Sequence, residues 1–222
     1  MAGVPGARPF GADAAAMLLG LAGLLLCPNS STAQPAQPSP AARNAAMSEL
    51  VRPEGVGGCV VLGVSSDVRR EALVSLMAEE PGSSPALQTA VAQVAPRCTG
   101  RPYASSDLAL VGAVTSTLRR GAAALALAQQ YGVGQRSLDA AWRVADPSQK
   151  AAFYAVAEDF LKPAASVAPR AIDTSPFAAR VHMPTAQDPR GERLLRMYLI
   201  GAALSERAEA QLAREGARPA PD

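Results

Sequence analysis

At Ser84-Pro85, Asp146-Pro147, Ser175-Pro176 and Asp188-Pro189 a serine or aspartate stands directly before a proline. Proline at the first helical position already has a helical φ and gives up an amide that would be unpaired there, while the oxygen before it accepts from the first turn. An interior proline breaks a helix, so each pair also marks a boundary between two segments of the chain. Ser66-Asp67 and Ser106-Asp107 offer the same cap without the proline. With stops at Pro81, Pro96, Gly132, Pro163 and Gly216, the pattern predicts helices over about 66–79, 84–95, 106–131, 136–145, 147–161, 176–182 and 189–215.

Composition agrees with this segmentation. Alanine supplies 48 of the 222 residues, and alanine loses no side-chain entropy in a helix. A hydrophobic share of 49% with 18% charged residues excludes a disordered chain. A large all-β sandwich is excluded too, because only Cys59-Val60-Val61-Leu62-Gly63-Val64 reads as a strand, and a lone strand leaves its backbone groups unpaired. That run is therefore expected as a short buried helix. A further short helix is expected over 42–51, stopped by Pro53 and the glycines of Gly55-Val56-Gly57-Gly58.

Two segments are long enough for their faces to be read. In the first, Leu108, Val111, Thr115, Leu118, Ala122 and Leu125 form a core stripe, with Arg119 and Arg120 to the side. In the last, Leu194, Met197, Gly201, Leu204, Ala208 and Gln211 repeat the spacing, flanked by Leu195, Tyr198 and Leu199. These are expected to be the central pair, brought close by Gly112, Gly121, Ala122, Gly201 and Ala202. An aromatic share of 4% makes such close packing necessary. Glu192 and Arg196 stand at i,i+4 as a solvated pair worth a few tenths of a kcal/mol.

Residues 1–33 have the layout of a secretory signal peptide: Arg8 in front, an apolar run from Ala14 to Leu26, and small residues at Ser31 and Ala33 before the cut, so that Gln34 begins the mature chain. The apolar run falls short of the roughly 20 residues of a spanning helix. Cys27 follows three leucines and lacks the small residue before it that lipid attachment needs. Residues 34–41 form a Pro-rich flexible tether, 42–216 a single helical domain and 217–222 a disordered tail. Two cysteines remain, Cys59 and Cys98. Export implies an oxidising compartment, and one structural disulfide is the simple reading, since a redox pair would want Cys-x-x-Cys spacing. The expected fold is thus all-α, a compact bundle of about six to eight helices stapled by one disulfide after a cleaved signal peptide.

The frame Cys59-Val60-Val61, Glu80-Pro81-Gly82-Ser83, Cys98 and Leu118-Arg119-Arg120-Gly121-Ala122 is similar to a set of uncharacterised exported all-helical proteins of Alphaproteobacteria. It covers residues 55–131, with Arg-Arg-Gly where those proteins have Arg-Gly and no matching pattern in the second half. The resemblance implies export, helices and a Cys59–Cys98 bridge. No activity comes with it.

The residues that could carry chemistry do not converge in sequence. His182 is the only histidine and lies in the Pro-rich 163–189 loop. It could serve a Ser-His-Asp set, but no Gly-x-Ser-x-Gly elbow occurs, and the expected role is packing near the surface. Glu158-Asp159 and Glu79-Glu80 are adjacent pairs that diverge by about 100° on a helix and cannot act together. The glycine runs at 55–58 and 132–134 lack a dinucleotide fingerprint or a phosphate-loop lysine and read as helix ends. Trp142 is expected as a core anchor. A formal charge of +2 and the isolated doublets Arg69-Arg70 and Arg119-Arg120 do not indicate nucleic acid. No catalytic, cofactor-binding or metal-binding residue is assigned, no cofactor is expected, and no stable membrane insertion is expected after cleavage. Partner and oligomeric state stay open. The expected function is a non-enzymatic binding or structural domain of the periplasm or cell envelope, secreted or periplasmic. One alternative is a hydrolase or lyase using His182 and the 163–189 loop; another is a membrane-anchored partner protein with an uncleaved leader.

Overall fold

The computed structural model describes residues 38–77, 85–104, 106–162, 171–183 and 188–216, which hold nine α-helices and no strand. In chain order they are α1 Pro40–Ser48, α2 Gly55–Gly63, α3 Ser66–Met77, α4 Pro85–Thr99, α5 Leu108–Tyr131, α6 Gln135–Arg143, α7 Pro147–Phe160, α8 Ser175–Arg180 and α9 Pro189–Gly216. The all-helical bundle with one disulfide is the expected architecture. The short segments α1, α2 and α8, each expected as helical, close into helices alongside the longer ones. The leader with Ala33 and Gln34, residues 34–37 and residues 217–222 lie outside the described residues. Among those described, no helix is long and apolar enough to cross a membrane.

The caps behave largely as their chemistry dictates. Asp107 Oδ1 accepts from the Leu110 amide at 2.9 Å, and Gln149 reaches back to the Asp146 amide at 3.3 Å to complete a capping box. Asp188 Oδ1 accepts from the amides of Arg190 at 2.9 Å and Gly191 at 3.1 Å, and its other oxygen accepts a hydrogen bond from the hydroxyl of Tyr131. A further pair, Ser39-Pro40, acts in the same way: Ser39 Oγ accepts from Ala42 N at 3.1 Å, so α1 starts at Pro40 and takes the last two residues of the expected tether. At α8 the expected cap moves by one residue. Thr174 is the N-cap, Ser175 is the first helical residue, and Asp173 accepts from the Ser175 amide at 2.9 Å.

Two expected stops are passed. Pro96 lies inside α4, whose last turn continues to Thr99 and carries Cys98. The glycines 55–58 open α2 rather than end a helix. Both departures come from packing. A Cβ at Gly57 would sit 2.3 Å from the Ala113 carbonyl oxygen of α5, and one at Gly63 would sit 2.4 Å from Val94 Cγ1 of α4. The glycines thus let α2 lie flat on its neighbours. Cys59 of α2 and Cys98 of α4 are joined with Cα atoms 5.8 Å apart.

Helices α5 and α9 pack together along their length. Gly112 and Gly201 make the close approaches: an added Cβ would meet Leu204 Cδ1 of α9 at 3.3 Å in the first case and Arg120 Cγ of α5 at 2.8 Å in the second. Because α1, α2, α3 and α9 all contact it, α5 is buried on more than one face. Leu110, Ala113, Val114, Ala123, Ala124 and Leu127 are in the core, whereas Leu108, Val111, Thr115 and Leu125 of the expected stripe are only half-buried. The stripe on α9 is nearer the mark, with Leu194, Gly201, Leu204 and Ala208 buried.

The core has two parts. One gathers Trp142, Phe153, Phe177, Tyr198, Leu195 and Leu199, with Trp142 and Phe177 stacked at 5.8 Å and Phe153 edge-on to both. The other holds Val60, Val61, Leu87, Val91, Leu110, Val114 and Leu118, all aliphatic. The disulfide serves this second part.

The bridge spans 39 residues of sequence and on the chain-entropy account is worth about 4 kcal/mol. Replacing both cysteines by serine is expected to lower the unfolding free energy by about 3–4 kcal/mol in urea melts. A second expectation concerns Asp188, whose carboxyl the Tyr131 hydroxyl and the amides of Gly191 and Arg190 hold below the usual aspartate value. A pKa lower in the folded than in the unfolded state stabilises the fold above the unfolded value of about 3.9, and this is lost as pH falls through the folded value. Asp188→Ala should therefore cost about 1–2 kcal/mol at neutral pH, with the gap from the parent closing in strongly acidic melts.

Candidate functional site

Helix α2 is clasped at both ends by side chains from distant elements. The Gly57 amide donates to Glu209 Oε1 of α9 at 3.1 Å, which brings a carboxylate to the helix N-terminus. At the other end Arg69 of α3 donates to the Val61 carbonyl at 3.2 Å, pairing an oxygen that the helix end leaves open. Held this way, α2 and α3 stand against one flank of α5, and the segment 51–54 runs past them to α1. Val51 N donates to Gln135 Oε1 of α6 at 3.0 Å and ties that segment down.

Between these elements lies a cavity of about 350 Å³. Val51, Val61, Leu62, Leu73 and Leu118 give it apolar walls, while Arg52, Glu54, Arg69, Arg120 and Asp139 bring charge to its lining. Gly121 faces it with no atom within 4 Å of where a Cβ would stand, so this glycine does not serve the close helix packing expected of it. Gly201, by contrast, gives passage to the stem of Arg120.

The charged part of the wall is built on a buried phenol. Tyr198 is wholly buried and donates from its hydroxyl to Asp139 Oδ1 at 2.6 Å. Arg120 donates to the same oxygen at 2.6 Å, and its guanidinium carbon lies 5.5 Å from the centroid of the Tyr198 ring. Burial pushes the Tyr198 phenol well above its usual value, against the pull of Arg120, so it stays protonated and donates. Burial alone would lower Arg120, but Tyr198 and Asp139 outweigh it and raise the guanidinium above its ordinary value. The Nε of Arg120 is buried and has no hydrogen-bond partner among the described residues. Thr117, also on the wall, spends its hydroxyl on the Ala113 carbonyl at 2.9 Å. The arrangement offers apolar contact and fixed cationic donors.

His182 lies elsewhere. It has φ 54°, and its amide bonds to Ala179 O at 3.2 Å while that of Met183 bonds to Ala178 O at 2.9 Å. This is the left-handed C-terminal cap that closes a helix, with Met183 buried as its apolar contact. The ring is exposed and makes no hydrogen bond among the described residues. Glu158 pairs with Arg207 at 3.1 Å and Asp159 with Lys162 at 3.1 Å, so these two neighbours face different cations. Glu79 and Glu80 lie outside the described residues. Trp142 is the expected anchor, its indole N–H given to Glu206 Oε1 at 2.7 Å. Of the arginine doublets, Arg70 makes an exposed 3.5 Å contact with Asp67, and Arg119 lies 5.9 Å from the Phe160 ring. Glu192 and Arg196 form their expected pair.

A second hollow beside α5 and α9 is spanned by Arg101, which donates to Asp107 at 2.7 Å and Glu215 at 2.9 Å. Its cation is thereby committed to the chain. Among the described residues no group of three or more His, Cys, Asp or Glu side chains could hold a metal ion. The cavity is not legible along the sequence because its parts come from five helices and a connecting segment; Arg119-Arg120-Gly121 is the one local signal.

No known protein family, curated protein or solved structure matches the chain. The geometry makes its own forecast at Asp139. Asp139→Ala leaves the Tyr198 hydroxyl without its acceptor and Arg120 without its counter-charge. A loss of about 3 kcal/mol is expected in urea unfolding, while Asp139→Asn, which keeps an acceptor, should lose less.

Proposed function

We propose that the chain is an exported, non-enzymatic binding domain of the periplasm or cell envelope, with the cavity beside Arg120 as its ligand seat. The observation that carries this is the lining itself. Its apolar walls and permanently charged guanidiniums suit recognition, and its size lies at the lower end of the 300–1,000 Å³ or so typical of small-molecule sites. General acid–base chemistry instead wants a group that titrates near the working pH. The only histidine stands exposed at the end of α8, outside the cavity lining, which favours binding over a hydrolase or lyase built on His182. Export is supported by the layout of residues 1–33, by the Cys59–Cys98 bridge, which suits an oxidising compartment, and by the resemblance to exported helical proteins.

A binding role makes distinct demands on His182 and on the leader. His182→Gly relieves a left-handed backbone strain, so it should leave the cavity's properties unchanged and stabilise the fold by up to about 1 kcal/mol in thermal melts. An activity abolished by that change would hand the protein to the hydrolase or lyase class. Intact mass of protein recovered from its producing cell should correspond to a chain beginning at Gln34 and lighter by two hydrogens than its reduced form. A chain retaining Met1 in the membrane fraction would instead make it an anchored partner protein.

A further inference from the structure

We propose that the cavity takes a small amphipathic carboxylate, its apolar tail against Val61, Leu62, Leu73 and Leu118 and its head between Arg52 and Arg69. This rests on the reading of the cavity as a ligand seat and names what sits there.

The charge of the lining is divided between committed and available groups. Asp139 is used by Arg120 and Tyr198 together, so that pair contributes little net field to a ligand. Arg69 spends one N–H on the Val61 carbonyl and keeps the rest of its five-donor fork, with no carboxylate partner among the described residues. Arg52 makes no hydrogen bond or ion pair among the described residues. Glu54 is the one uncommitted carboxylate in the lining, against two uncommitted guanidiniums. The balance therefore favours an anion, and a planar guanidinium fork matches a carboxylate in both shape and charge.

The tail is set by the walls. Leu62 is 38% exposed and Val51 is 40% exposed, and both line the same cavity as Leu73 and Leu118. Apolar surface left contiguous around a concave site marks a place where something apolar is buried on binding. The volume of about 350 Å³ restricts the ligand to a short chain or a single ring system, and the open space at Gly121 is part of the room it would fill.

The test is isothermal titration of the full chain with sodium decanoate, with decanol and decyltrimethylammonium as neutral and cationic probes. Decanoate should saturate at one per chain, bind more tightly than either comparator and weaken as salt is raised. Arg52 holds nothing in the fold together, so Arg52→Gln should leave the melting temperature unchanged and weaken decanoate about two- to fivefold, as loss of a partly exposed ion pair does. Gly121→Leu meets open space, should keep the fold, and should abolish binding. If decanol binds as tightly as decanoate and Arg52→Gln changes nothing, the carboxylate class is overturned while the ligand seat stands. If no probe binds, or if Gly121→Leu leaves binding intact, the cavity is not the seat and both readings fall.

Discussion

The contact on which the molecule depends is the close approach of α5 and α9, made through residues that have almost no side chain. Gly112 and Gly201 let the two backbones come near enough for Ala123, Ala124, Ala202 and Ala203 to be fully or almost fully buried. Dispersion between such closely spaced atoms is gained at little cost in side-chain entropy, but each alanine removes little apolar area from water. A bundle built on this seam needs additional weight at its two ends. At one end it comes from the aromatic group of Trp142, Phe153 and Phe177. The other end buries only aliphatic side chains in its core, and there the Cys59–Cys98 bridge restricts the unfolded chain instead.

The same seam creates the charged wall of the cavity. Gly201 leaves space for the stem of Arg120 to cross α9, which carries its guanidinium to Asp139 of α6 and over the ring of Tyr198. A half-buried guanidinium is tolerable because one carboxylate oxygen serves both it and the phenol. One residue further on, Gly121 points away from α9 into open space. Two glycines that look alike in the sequence thus do opposite work: one removes a side chain to admit a neighbour, the other to leave a hollow.

Much of the architecture is legible in the sequence because it rests on local chemistry. The Ser-Pro and Asp-Pro starts mark helices whatever surrounds them, since the proline φ and the capping oxygen act within one turn. Where expectation and structure differ, a distant element intervenes. Gly55 to Gly58 is a poor helical stretch by propensity, yet α2 forms because its amide end is met by Glu209 and its carbonyl end by Arg69. Pro96 should end α4, but the last turn continues to place Cys98 beside Cys59. On α5 the expected stripe marks one face of a helix that is covered on several. The cavity is the least legible feature, because Arg52, Arg69, Arg120 and Asp139 are scattered over nearly ninety positions and share a wall only through the packing of α2, α3 and α6 around α5.

By itself the sequence determined the helices, most of their caps and the central pair, because each of these is set by interactions within a few residues or by composition. It also placed His182 outside any reactive motif. Tertiary structure decided what the sequence left symmetrical: which glycines are contacts and which are voids, and which arginines are neutralised and which stay available. Those distinctions depend on what lies opposite a side chain in space, and periodicity along one helix carries no information about that.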